Sequence, residues 1–245
     1  MSYQPTAPSR SAANDPSRLQ RYARATGAAM LLSVVFGSLG EAYLPGQIIV
    51  RGDAAATAAN IVAHPMLFRL TFASYLVEGI CDVALCVFWY VLLKPVNRNL
   101  ALLSAFMGMT SMITFAVAQA SFYSSSVILR EAGGMTAFPL EQRQALAMLA
   151  IRIATTIAYL FICFYGIASM IRGYLIAKSG YFPRILGVLL FVGGAGFFLR
   201  SATFILTPAY SHFAMLIPMM LAMLFLMSWL LFKGVDARRL GPAAG

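Results

Sequence analysis

Two carboxylates interrupt one of the apolar stretches of this chain. Glu78 and Asp82 lie four residues apart in the segment LVEGICDVAL, residues 76–85. If the segment is helical, this spacing puts both acids on one face, about one turn apart. Two carboxylates that close in a low dielectric resist ionising together. We therefore expect one of them, Asp82, to be protonated or to balance a bound cation.

Other polar side chains also fall within apolar stretches. An ionisable group at the centre of a membrane-spanning helix costs about 2.5–3.5 kcal/mol to insert, so such groups should face the interior of a bundle and one another. The topology derived below places them in the outer half of the membrane. The predicted intramembrane polar cluster comprises Glu41, Glu78, Asp82, Gln119, Arg152 and Arg200.

The residue types leave three roles open for this cluster. The charges could lock helices together as structural ion pairs, form a pathway or binding site for a small solute or cation, or supply an acid for catalysis. Intramembrane ionisable residues are a reason to consider function in every such case. The sequence itself does not choose among the three.

Metal and cofactor sites have little support in the sequence. The three cysteines form no Cys-x-x-Cys pair, and the two histidines, His64 and His212, both fall in predicted loops. Together with Asp53 these histidines are weak candidates for a surface metal. No nucleotide-binding or hydrolase motif is present. We expect no cofactor and no intramembrane metal site, and the sequence favours a non-enzymatic role.

Composition indicates where these residues must be positioned. The chain has 245 residues, 60% hydrophobic and only 11% charged, whereas soluble domains are about a quarter charged. Six apolar stretches are each long enough to cross a bilayer, which takes about 20 residues of helix. A lipid-exposed backbone must satisfy its own hydrogen bonds, so these stretches should be helices. The predicted spans are residues 25–46, 68–93, 100–126, 146–171, 184–206 and 213–232.

The predicted fold is therefore all-α, an integral membrane bundle of six transmembrane helices. Residues 1–24, rich in Ser, Ala, Pro and Arg, are predicted to be a disordered cytoplasmic tail. Residues 25–233 form the six-helix transmembrane domain, and residues 234–245 a short basic cytoplasmic tail.

The basic residues orient this bundle. Twelve lie in the tails and in the loops on the same side, with Arg172 counted among them in the loop after the fourth span, and four lie in the opposite loops. The positive-inside rule then places both termini in the cytoplasm, with the protein in the bacterial cytoplasmic membrane. The net charge of +10 reflects seating on an anionic leaflet. The basic residues form no stripe with interleaved aromatics, so nucleic acid is not an expected partner.

Three segments carry a resemblance to a known family: GDAAATAANI at 52–61, CDVALCVFWYVLLKPVNRNLALLSAF at 81–106, and GYLIAKSGYFPRILGVLL at 173–190. From about Arg21 to Val235 the chain resembles the bacterial domain-of-unknown-function 4386 family. The resemblance implies a multi-pass bacterial membrane protein and no established activity.

The resemblance also implies how the charges differ here. Asp82 lies in a family-like CDVAL segment, where the position of Glu78 is usually apolar. The family usually carries an arginine at the position of Gly108 and an acid at that of Arg200. It therefore implies that the basic partner has moved between helices, and Arg152 or Arg200 is the expected partner of Glu78.

Three functional hypotheses follow. The first is a permease or sensor of a small solute or ion that uses the polar cluster, with a water-accessible cavity reaching Asp82. The second is a non-catalytic scaffold or accessory subunit, with a dry and fully paired cluster. The third is a lipid-modifying enzyme, with a lateral opening beside Glu78. The lipid bilayer is the expected partner in all three, and homo- or hetero-oligomers are compatible with each.

Overall fold

The computed structural model of the chain describes residues 16–130 and 137–236, and every regular element in those ranges is helical. The α-helices are α1 (Pro16–Gly37), α2 (Leu44–Ile48), α3 (Ala54–Ala63), α4 (Pro65–Leu93), α5 (Arg98–Leu129), α6 (Leu140–Lys178), α7 (Arg184–Leu206) and α8 (Ile217–Phe232). A π-helical segment, Ser38–Tyr43, joins α1 to α2 without a break. Two 3₁₀ turns, Pro208–Tyr210 and Phe213–Leu216, lie between α7 and α8.

Six of these helical runs are long and apolar enough to cross a membrane. They are Ser17–Ile48, α4, α5, α6, α7 and Phe213–Phe232. The prediction of an all-α, multi-pass membrane protein with six spans is thereby confirmed. At 39 residues, α6 is about 58 Å long and extends well beyond a hydrocarbon core of about 30 Å.

The six spans pack as a closed ring in chain order. Each span contacts the next along the chain, and α8 closes the ring by packing against α1. Gln20 fastens this closure: its Nε2 donates to the Lys233 carbonyl at 3.0 Å, and its Oε1 accepts from the Val235 N–H at 3.0 Å. The start of α1 and the end of α8 therefore share one end of the bundle, which we call the terminal end. The other is the far end, and which membrane face each end meets stays a prediction.

Local sequence explains the tight connections at the terminal end. Asn97 caps α5, its side-chain oxygen accepting from the Leu100 N–H at 2.9 Å. Gly180 follows α6 with a φ of 73°, a left-handed conformation that glycine adopts without steric cost. The next residue, Tyr181, is buried and donates its hydroxyl hydrogen to the Leu92 carbonyl, which joins the two connections.

The spans are held together by close backbone approach and by serine hydroxyls. A Cβ added to Gly173 on α6 would lie 2.5 Å from the backbone nitrogen of Phe191 on α7. Ser104 donates across to the Ala168 carbonyl at 3.1 Å and Ser111 to the Phe161 carbonyl at 3.0 Å. Small residues and hydroxyl hydrogen bonds are the usual means of helix association in lipid, where apolar burial gives little driving force.

The structure corrects one predicted domain boundary. The prediction of a disordered tail over residues 1–24 is wrong from residue 16 onward, because α1 begins at Pro16. Leu19 and Ala23 are buried in the main core at 3% and 0% exposure, so this Arg-rich segment has an apolar face. Residues 1–15 lie outside the described residues. The predicted C-terminal tail is described only to Asp236, and Val235 within it is buried.

Candidate functional site

The acids meet where α1 packs against α4. Ser33 on α1 donates its hydroxyl hydrogen to Asp82 Oδ1 at 2.7 Å. One turn further along α1, Gly37 lies against Glu78: a Cβ added to this glycine would lie 2.5 Å from Glu78 Oε1. Glu41 comes one turn later, in the π-helical segment, and interacts electrostatically with both other acids. The three carboxylates therefore follow one helix interface, turn by turn, and we call Glu41, Glu78 and Asp82 the acidic track.

The acidic track runs from an exposed end to a buried one. Glu41 has an exposed side chain, whereas Glu78 and Asp82 are only 8% and 7% exposed. Asp82 lies eleven residues, about 16 Å, from the end of α4 at Leu93, a distance of about half the thickness of a hydrocarbon core. Glu78 and then Glu41 are successively closer to the far end.

Glu78 is the least satisfied member of the track. Its Oε2 atom is fully buried and has no hydrogen-bond partner among the described residues. An ionised carboxylate in this position would carry an uncompensated desolvation cost of several kcal/mol. The arrangement is satisfied when Glu78 holds a proton or when a cation lies between Glu78 and its neighbours.

Arg172, which the sequence pattern places in a loop, lies at the buried end of the track. Arg172 is inside α6, six residues before its end, and is 4% exposed. Its Nε donates to Ser104 Oγ at 3.1 Å, and its Nη2 lies 4.0 Å from Cys86 Sγ. Cys86 is one helical turn beyond Asp82 on the same buried face of α4, so the guanidinium acts electrostatically on Asp82.

Gly108 on α5 makes room for this arginine. A Cβ added to Gly108 would lie 2.6 Å from Arg172 Nη2 and 2.8 Å from Cys86 Sγ. The guanidinium thus occupies the volume into which a side chain at position 108 would project. This close approach explains why the smallest residue stands there in the middle of a long span.

Further polar atoms surround the guanidinium. The Tyr165 ring lies 5.8 Å from Arg172 Cζ, within cation–π range, and the Tyr165 hydroxyl lies 3.9 Å from Met223 Sδ on α8. Ser169, one turn before Arg172, is 1% exposed and its Oγ has no partner in the described part of the chain. The centre of the ring therefore combines one cation, two buried acids, and hydroxyl groups that can accept or donate further hydrogen bonds.

The other predicted members lie elsewhere. Arg152 is exposed on α6. Arg200 on α7 places its guanidinium 5.6 Å from the Tyr159 ring centroid, and Tyr159 in turn stacks on Phe204. Gln119 is half-buried on α5. The expected pairing of Glu78 with Arg152 or Arg200 is not seen among the described residues: Arg152 is exposed, and the Arg200 guanidinium lies against the Tyr159 ring.

The weak candidates for a surface metal, Asp53, His64 and His212, lie in different parts of the fold. The Asp53 carboxylate caps α3, its Oδ1 accepting from the Ala56 N–H at 2.8 Å. His64 lies at the boundary between α3 and α4, and His212 in the connection before α8. Over residues 16–130 and 137–236, no three His, Cys, Asp or Glu side chains are grouped so that they could hold a metal ion.

Comparison with known proteins identifies the family but not an activity. The family model described as "Domain of unknown function (DUF4386)" matches residues 25–234. The chain belongs to this family. The DUF4386 chain is also similar to an uncharacterized protein from Archaeoglobus fulgidus, with 28% identity over 143 residues, covering 56% of this chain and 72% of the relative. No solved structure matches the chain.

Membership confirms the resemblance seen in the sequence, and the structure refines what was expected of the charges. In this DUF4386 chain the basic group beside Asp82 comes from α6, and it fills the space next to Gly108. The arginine beside Asp82 is thus Arg172, which the sequence pattern places in a loop at the terminal end. Asp82 remains at the centre, between Ser33 on α1 and the guanidinium of α6.

Proposed function

We propose that this DUF4386 protein is an ion-responsive membrane protein, a permease or a sensor, in which the buried pair Glu78 and Asp82 takes up a proton or a small monovalent cation. The observation that carries the proposal is the buried Oε2 atom of Glu78, which has no partner among the described residues and lies between two further carboxylates. An ionised Glu78 carboxylate in this position needs a compensating proton or cation, which the neighbouring carboxylates cannot provide.

The difference in exposure among the three acids supports access from the far end. Glu41 is exposed, Glu78 and Asp82 are buried, and successive members are one helical turn apart. A cation entering from the far end meets Glu41 first and Asp82 last. On the predicted topology the far end faces the outside of a cytoplasmic membrane.

Arg172 gives the track a defined buried end. Its fixed positive charge lies beyond Asp82, so a second cation moving past Asp82 would meet electrostatic repulsion. The same charge favours release of a proton or cation from Asp82 once the site opens. With this fixed charge nearby, Asp82 can bind a proton or cation reversibly and is not held permanently neutral.

A structural scaffold is the second candidate, and two hydrogen bonds favour it. Ser33 to Asp82 joins α1 to α4, and Arg172 to Ser104 joins α6 to α5. In a scaffold these bonds would hold the ring closed and no ion would bind. The unpartnered oxygen of Glu78 favours the ion-responsive protein, because it adds a desolvation cost that a purely structural lock does not require.

The test is the response of the purified protein to cations and to pH. Thermal unfolding in detergent is measured from pH 5 to 9, with sodium replaced by choline at constant ionic strength. A ligand present at about 100 times its Kd stabilises the native state by about 2.7 kcal/mol, or roughly 5–10 °C for a chain of this size. We expect a response of this order to protons or to sodium in the wild type, and its loss in Glu78→Gln and Asp82→Asn.

Glu141→Gln is the matched control, because Glu141 is an exposed acid at the start of α6. This variant should leave the response to protons or sodium intact. A response that survives both Glu78→Gln and Asp82→Asn contradicts the proposal and favours the scaffold. If the response is lost, proteoliposomes loaded with a pH- or sodium-sensitive dye then separate a permease, which moves the ion, from a sensor, which only binds it.

A further inference from the structure

A second polar feature lies at the terminal end, away from the acidic track. A groove of about 320 Å³ opens between the first turns of α1 and the last turns of α4. It is lined by Arg18, Arg21, Tyr22, Ala25 and Phe88. Both arginines are exposed, and no acid is among the described residues that line the groove.

The shape of this groove is fixed by packing on both sides. Leu19 and Ala23 are buried on the opposite face of α1, so the helix cannot rotate without exposing them. Tyr22 contacts Phe88 edge to face, with ring centroids 5.8 Å apart and an interplanar angle of 70°. Arg18 Cζ lies 5.9 Å from the Tyr22 ring centroid, so the arginine extends along the aromatic wall.

The polarity of the lining changes with depth. The guanidinium groups of Arg18 and Arg21, one turn apart, lie nearest the terminal end. Ala25 on α1 and Phe88 on α4 lie about one turn deeper, toward the hydrocarbon core. A ligand that fits both parts has an anionic group that accepts from guanidinium donors and an apolar portion that continues into the bilayer.

We propose that this groove binds an anionic phospholipid, with the phosphodiester of its headgroup held by Arg18 and Arg21 and its acyl chain against Ala25 and Phe88. A basic groove at the end of membrane-spanning helices, with apolar walls below it, matches that chemistry in charge and in depth. The proposal is independent of the acidic track, because none of the lining residues contacts the three acids.

Native mass spectrometry of the detergent-solubilised protein, titrated with phosphatidylglycerol, tests the proposal. The free energy that two juxtamembrane basic residues contribute to anionic lipid binding corresponds to about a thirtyfold change in affinity. We expect Arg18→Gln combined with Arg21→Gln to weaken phosphatidylglycerol binding about thirtyfold. The variant should fold, because both side chains are exposed, and its unfolding temperature without lipid provides that check.

Arg24→Gln is the matched control, since Arg24 is exposed on the same helix and does not line the groove. It should change the affinity less than about threefold. An equal loss in Arg24→Gln would overturn the proposal and show that binding depends on diffuse surface charge. Equal affinity of the wild type for phosphatidylcholine would overturn it as well.

Two further arms separate a lipid from a free anion. Phe88→Ala should weaken phosphatidylglycerol binding and leave any binding of inorganic phosphate unchanged, because only the lipid has an acyl chain to contact that wall. Inorganic phosphate at millimolar concentration should not displace the lipid. If it displaces phosphatidylglycerol fully, the groove is a phosphate site and the lipid assignment is wrong.

Discussion

The electrostatic interaction between Asp82 and Arg172 makes the most quantitative prediction. Arg172 Nη2 lies 4.0 Å from Cys86 Sγ, and Cys86 is one turn from Asp82, so the two charges lie no more than about 10 Å apart. With an effective dielectric constant of about 20, Coulomb's law gives an interaction of about 2 kcal/mol. Asp82→Asn, Arg172→Met and the double variant together form a cycle that measures this quantity.

The cost of each change follows from what the side chains contact. Arg172→Met removes the hydrogen bond to Ser104 and leaves the acids without a fixed cation, so it should destabilise the protein by about 3–5 kcal/mol. Adding Asp82→Asn should restore about 2 kcal/mol of that loss. Gly108→Arg should restore part of it too, because a side chain at position 108 projects into the volume that the guanidinium of Arg172 occupied.

Unfolding of the detergent-solubilised protein by titration with sodium dodecyl sulfate provides the assay, followed through the fluorescence of Trp89 and Trp229. Trp89 is 4% exposed in the main core, so its emission reports loss of the packed state. The control pairs Asp82→Asn with Arg152→Met, which removes an exposed arginine, and should be additive. If the Asp82–Arg172 cycle is additive within about 0.5 kcal/mol, the two charges do not interact and the reasoning is refuted.

Two further predictions concern glycines at close helix contacts. Gly37→Ala should lower the stability of the protein by about 1–3 kcal/mol because the new methyl group meets Glu78 Oε1. This loss of stability should fall by more than half in a Glu78→Ala background. An equal loss in both backgrounds contradicts the contact. Gly187→Ala should destabilise by a similar amount, because its Cβ would meet the backbone of α6. Gly79→Ala should be neutral or stabilising by up to about 1 kcal/mol, since nothing lies within 4 Å of its Cβ. Unfolding by detergent titration compares Gly187→Ala with Gly79→Ala. An equal loss of stability in these two variants counts against the α6–α7 packing.

The sequence was sufficient to predict the spans and their number. A run of about 20 apolar residues has one stable form in lipid, so hydropathy and length determine the six helices. It was also sufficient to place Glu78 and Asp82 on one helix face, because a four-residue spacing fixes that relation whatever the surroundings. Placing Glu41 beside these two acids also requires that α1 packs against α4. The shared depth of the three acids suggests this packing, and the structure shows it.

The basic partner could not be predicted from the same patterns. The predicted fourth span ends at residue 171 and so places Arg172 in a loop, although the apolar residues after it continue the helix to Lys178. The break at Gly180, where the backbone turns left-handed, was the signal that could have extended the span. Arg152 and Arg200 have suitable depth, but depth does not fix helix rotation, and rotation decides which side chains meet.

The proposed uptake of a proton or cation depends most directly on the protonation state of Glu78. Infrared difference spectroscopy of the protein in lipid, in sodium-free buffer at neutral pH, detects the carbonyl stretch of a protonated buried carboxyl group. We expect such a band in the wild type and in the Glu141→Gln control, and its absence in Glu78→Gln. If a cation neutralises Glu78 instead, we expect a band change on sodium addition that Glu78→Gln abolishes. A spectrum with no protonated carboxyl band and no response to sodium would mean that Glu78 stays ionised and unaccompanied, and would contradict the central claim.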